Sequence, residues 1–80
     1  MGKYDPLRDY LAARPGDEVR MTFAEVERLV GPLPDSARNH RAWWANESVG
    51  RHVQARAWMG VGWRVESLDL NRQTVVFVRT

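Results

Sequence analysis

Eighty residues, 44% of them hydrophobic and 28% charged, make one small globular domain over residues 1–80 rather than a disordered chain. No apolar run approaches the roughly 20 residues needed to cross a bilayer, and the opening MGKYDPLRDYL lacks the apolar centre of a signal peptide, so a cytoplasmic protein without a membrane partner is expected. The absence of cysteine excludes disulfides, thiolate metal sites and cysteine nucleophiles together, while a formal net charge of +2 says less than the placement of the charges does.

The first predicted element is a helix from Asp5 to about Ala13. Asp5 suits its N-cap, Pro6 suits the first helical position, and Leu7, Tyr10 and Leu11 fall on one face. Arg14-Pro15-Gly16-Asp17 breaks it. Glu18 to Thr22 alternates polar and apolar residues, as a strand with one buried face does. Thr22 stands three residues before Glu25 in a capping-box spacing, and Phe23, Val26, Leu29 and Val30 follow at helical intervals until Gly31-Pro32-Leu33-Pro34 stops the helix. A third helix, capped by Asp35 or Ser36, is expected through Trp44, and a fourth from Ser48 or Arg51 to Met59. The tail reads as a hairpin: strand Trp63–Leu70, turn Asn71–Gln73, strand Thr74–Arg79. The run Val75-Val76-Phe77-Val78 suits a strand inside a sheet better than an edge.

The order helix, strand, helix, turn, helix, two strands is that of a winged helix-turn-helix domain, whose first strand pairs with the C-terminal hairpin. The expected fold is therefore α+β, three or four short helices against a small antiparallel three-stranded sheet. The dozen residues between Asn46 and Gly62 exceed what a plain winged helix needs there.

Ser36–Trp58 holds four of the twelve Lys and Arg residues, three of the four tryptophans and both histidines, with Glu47 its single acid. By contrast, residues 1–35 carry five basic against seven acidic side chains. A chain this lopsided presents a positive face to something negative, and arginine favours planar contact with phosphate or guanine. On the winged-helix order, Ser36, Arg38, Asn39, His40 and Arg41 form the part of a recognition helix that faces base edges. Arg51, His52, Gln54 and Arg56 extend that surface, on phosphates or on a second set of bases, and Asn71, Arg72 and Gln73 of the wing turn can contact the backbone or the minor groove. Asn46 joins these as a further polar contact.

Trp44, Trp58 and Trp63 are expected in the core, as the natural fillers of a domain short of Leu and Ile. Trp43 is a boundary residue that would stack on an unpaired base if exposed. Neither His40 nor His52 stands at a metal-ligand spacing, and nothing supplies a nucleophile, so neither a cofactor nor catalysis is expected.

The patterns Y-D-P-L-x-x-Y-L (Tyr4–Leu11), T-F-x-E-V-E-x-L-V-G-P-L-P-x-S-A (Thr22–Ala37), W-W-A-N (Trp43–Asn46), H-x-Q-A-x-A-W (His52–Trp58) and G-W-x-V (Gly62–Val65) span nearly the whole chain. Together they resemble a family of small bacterial domains of unknown function, found alone or joined to other domains, some nuclease-related. The resemblance implies no catalytic residue. It marks Ser36, Asn46, His52 and Gln54 as a shared polar surface.

The resulting expectation is a non-enzymatic protein that grips double-stranded DNA through an arginine-rich helical face. The alternatives are an interaction module for a protein partner and a single-stranded nucleic-acid binder, and a homodimer is compatible with each.

Overall fold

The computed structural model describes residues 2–47 and 53–80. In chain order these hold α1 (Asp5–Ala12), β1 (Glu18–Thr22), α2 (Phe23–Val30), α3 (Asp35–Asn39), a 3-10 helix (Arg41–Trp44), α4 (Val53–Met59), β2 (Trp63–Asp69) and β3 (Thr74–Arg79). The fold is α+β, and its strands form one antiparallel sheet in the order β1-β3-β2. The first strand thus pairs with the C-terminal hairpin, and the Val75–Val78 run lies in the central strand.

Local chemistry explains most boundaries. The Thr22 side chain accepts from Glu25 N at 3.1 Å while Glu25 Oε1 accepts from Thr22 N at 2.8 Å, so two N–H groups that the helix cannot satisfy are paired. Gly31, at φ 84, ends α2 in a backbone region open to glycine. The cap of α1 differs from expectation. Asp5 is the first helical residue, Tyr4 holds the cap position without a side-chain bond, and Asp5 Oδ2 instead accepts from Gly2 N at 2.9 Å. Likewise Pro34 precedes α3 at its cap, and neither Asp35 nor Ser36 caps it.

The third helix is the main departure. It ends at Asn39, His40 is extended (φ −131, ψ 118), and a separate 3-10 turn carries Trp43 and Trp44. Tertiary packing breaks it. Trp44 is buried, and its indole Nε1 donates to Ala37 O at 2.8 Å; on one continuous helix Trp44 would stand about 10 Å further along the axis than Ala37. The expected start of the fourth helix at Ser48 or Arg51 lies outside the described residues, and α4 is seen from Val53.

The core is aromatic. Phe23 of α2 stacks on Trp44 (5.0 Å between ring centroids), Trp44 on Trp58 of α4 (6.1 Å), and Trp58 leans on Phe77 of β3 (5.5 Å). Leu7, Leu11, Val26, Trp63 and Val75 close around this column. Trp63 is fully buried under the Arg79 guanidinium, 4.4 Å from its ring centroid. The 3-10 helix and α4, which stand between the third helix and the hairpin, are therefore integral walls of the core.

The two sheet edges differ. Thr80 N donates to Gly62 O, and with Trp63 opposite Arg79 this directs the backbone groups of Trp63 and Val65 away from β3. There Asn46 takes both groups of Val65: Oδ1 accepts from Val65 N at 2.8 Å and Nδ2 donates to Val65 O at 3.0 Å. On the other side, Phe23 N donates to Gln73 O and Arg79 N to Asp17 O, a register in which Val19 and Met21 bond β3. The N–H and C=O groups of Glu18 and Arg20 then face the open edge of β1.

Candidate nucleic-acid interface

The expected site residues that the structure describes do not all share one surface. Ser36, Arg38, Asn39, His40 and Arg41 lie on α3 and the turn that follows, and this segment is tied to the tip of the β2–β3 hairpin. Arg38 Nη1 donates to Gln73 Oε1 at 2.9 Å, and Arg41 Nη2 donates to Leu68 O at 3.1 Å. Arg72 stands beside Gln73 in the hairpin turn with its side chain 85% exposed. The turn is itself braced: Asp69 Oδ1 accepts from Arg72 N at 2.9 Å, and Gln73 adopts φ 55, uncommon for a residue with a side chain. One end of the molecule thus gathers Arg38, Arg41 and Arg72, with Asn39 and His40 exposed alongside.

These arginines are not electrically equivalent. Arg38 is half-buried and its Nη2 lies 2.7 Å from Glu27 Oε1. The Leu33 N–H donates to Glu27 Oε2 at 2.8 Å. That backbone bond first, and then the Arg38 guanidinium, hold the Glu27 carboxyl below its ordinary range. Arg38 therefore stands neutralised by an acid from the first half of the chain. Arg72 has a loose contact, 3.9 Å, with Asp69. Arg41 is exposed and, among the described residues, meets a carbonyl and no carboxylate.

Two expected contacts are engaged by bonds within the chain, Gln54 buried and Asn46 exposed. Gln54 is 6% exposed and its Nε2 donates to Trp43 O at 2.7 Å, which joins α4 to the 3-10 turn. Asn46, besides closing the β2 edge, accepts from Trp58 Nε1 at 3.0 Å. Asn39 bonds back to Asp35 O at 3.0 Å yet stays exposed. Ser36 is half-buried. Arg56 lies apart, in a shallow depression with Lys3, Tyr4, Arg8 and Val53. Arg51 and His52 lie outside the described residues. Trp43 is half-buried, with its ring edge-on to Trp44 at 4.7 Å and to Tyr4 at 5.8 Å.

Sequence reading missed Glu27 and Arg20. Strand alternation puts Arg20 on the solvent side of β1, but only the register sets it level with Val76 and Ser67, in an open depression of about 290 Å³ that Arg72, Asp69 and Thr74 also line. No local pattern marks Glu27 as the partner of Arg38, because the two meet across separate elements.

A small α+β domain with a basic hairpin end is what these observations define. The chain belongs to the family described as a domain of unknown function, DUF7662, which it matches over residues 4–80. No curated protein and no solved structure matches it. No helix among the described residues is long and apolar enough to cross a membrane.

Proposed function

We propose that this protein is a non-enzymatic binding module for double-stranded DNA, gripping phosphates with the hairpin-end arginines. The observation that supports this reading is the pair of bonds Arg38–Gln73 and Arg41–Leu68, which ties the segment carrying Arg41 to the hairpin whose turn carries Arg72. Arg41 and Arg72 make the phosphate contacts, and Asn39 and His40 supply neutral hydrogen bonds. Arg38, paired with Glu27, holds the segment in place.

The helix geometry favours backbone over base contact. Five residues of α3 span only about 7.5 Å, less than the roughly 12 Å width of the major groove. Binding of this kind positions a duplex without strong sequence selection. The strand order β1-β3-β2 is compatible with a winged helix, but α3 ends at Asn39 and is too short for the expected recognition helix.

Fluorescence anisotropy with a random-sequence duplex, titrated across salt, tests the reading. Log K falls linearly with log salt, by about 0.9 for each phosphate neutralised. Arg41→Ala and Arg72→Ala each reduce that slope by about 1, whereas Arg8→Ala, already held by Asp5 and Asp9, leaves it unchanged. Absence of binding at low salt, or binding indifferent to both substitutions, overturns it.

A second reading, an interaction module for an acidic protein, is supported by Val53. It is 55% exposed, the one exposed large hydrophobic among the described residues, in a depression that Lys3, Arg8 and Arg56 line together with Asp5. That reading predicts no duplex affinity and a partner lost on Val53→Asp substitution.

A further inference from the structure

We infer that the open edge of β1 is a self-association surface, on which a second copy of this chain adds its own β1 antiparallel to make a continuous six-stranded sheet. The sheet ends differently on its two sides. The backbone of Val65 on the β2 edge is closed by the Asn46 amide, while the β1 edge ends in the outward N–H and C=O groups of Glu18 and Arg20. Open edge strands are usually kept from pairing by shortness, a bulge, a proline or charged side chains. Glu18-Val19-Arg20-Met21-Thr22 has no proline and pairs with β3 in unbroken register.

Its charges also suit a copy of itself. A two-fold axis through Val19 sets Val19 against Val19 of the second copy. Glu18 then stands directly opposite Arg20 of that copy, and Arg20 opposite its Glu18. In this register the outward groups of Glu18 and Arg20 form two hydrogen-bonded pairs, four backbone bonds in all, following the geometry of an antiparallel ladder. Glu18 and Arg20 project on the same, solvent-facing side of the sheet, so each hydrogen-bonded pair also carries opposite charges at cross-strand distance. Shifting the axis to Arg20 would set the two arginines against each other. Among the registers that the backbone can use, charge therefore favours the one centred on Val19. Both side chains are exposed and, among the described residues, neither meets an opposite charge within its own chain.

This inference stands on the edge geometry and not on the DNA reading, and its test contains no nucleic acid. Sedimentation velocity of the full chain from micromolar to millimolar concentration should show the 9.3 kDa monomer giving way to a species of twice that mass. Glu18→Arg alone and Arg20→Glu alone each set like charges opposite one another and move the midpoint at least tenfold higher. The double variant E18R/R20E restores the wild-type midpoint. An equimolar mixture of the two single variants, in which opposite charges again face each other, associates as a heterodimer. Circular dichroism confirms that each variant folds, as is expected for substitutions at exposed positions. A chain that stays monomeric throughout, or a dimer whose midpoint neither single variant moves, overturns the inference.

Discussion

Asn46 shows how a polar side chain that reads as a surface contact becomes part of the scaffold. Its carboxamide accepts from both Val65 N and Trp58 Nε1 and donates to Val65 O. It thereby completes a sheet edge and satisfies a buried indole at once. Alanine at this position leaves the Trp58 N–H in the core without a partner, at a cost of about 1–3 kcal/mol. Asn46→Ala should lower the free energy of urea unfolding by that amount, yet leave duplex affinity of the folded protein unchanged. A loss of affinity without a loss of stability would return Asn46 to the contact surface. Gln54 plays the same kind of part at lower exposure, with its amide N–H on the Trp43 carbonyl.

Ion pairing between elements belongs to the next scale. Glu27 of α2 receives the Leu33 amide and the Arg38 guanidinium, and Arg38 continues to Gln73 of the hairpin turn. One carboxylate so links three parts of the chain. Its folded pKa is lowered, so between that value and the ordinary carboxylate value the unfolded chain binds more protons. The stabilisation is complete above the ordinary value and disappears as pH falls through the lowered one. Urea unfolding at a series of pH values should show the decline on acidification, and Glu27→Gln should flatten it. An unchanged acid limb in Glu27→Gln would mean that other carboxylates govern it. The same substitution frees Arg38 and should raise duplex affinity at low salt, because a guanidinium now neutralised becomes available to phosphate.

At the scale of the molecule, the column Phe23–Trp44–Trp58–Phe77 draws on α2, the 3-10 turn, α4 and β3. A domain of this size has a thin margin of stability. Trp58→Ala removes the middle of the column and costs about 3–5 kcal/mol, which corresponds to a fall in Tm of roughly 12 °C or more. Trp58→Phe should fall less, since it keeps a stacking ring and loses the bond to Asn46. Thermal melts of the pair separate packing from hydrogen bonding, and equal falls would show that the bond, not the ring, holds α4 in place. Core packing also explains the fate of the expected recognition helix: burial of Trp44 ends α3 at Asn39, and Arg38 and Arg41 turn toward the hairpin instead of extending one helical face.

Most elements were legible in the amino-acid order because they depend on neighbours; the third helix, which Trp44 packing ends at Asn39, was not. Thr22 and Glu25 lie three residues apart, Glu18–Thr22 alternates, and Gly31 to Pro34 halts a helix wherever it stands. The tryptophan cores and the central place of the Val75–Val78 strand followed from side-chain type alone. What the order of residues left open were the partners of polar groups. Arg38 meets Gln73 across 35 positions, Asn46 meets Val65 across 19, and Gln54 meets Trp43 across 11. Such pairings depend on register and on which side of a packed layer each chain segment falls. Periodicity fixes a residue's face on its own element, but only the assembled core decides whether that face meets solvent, a carbonyl or an opposite charge.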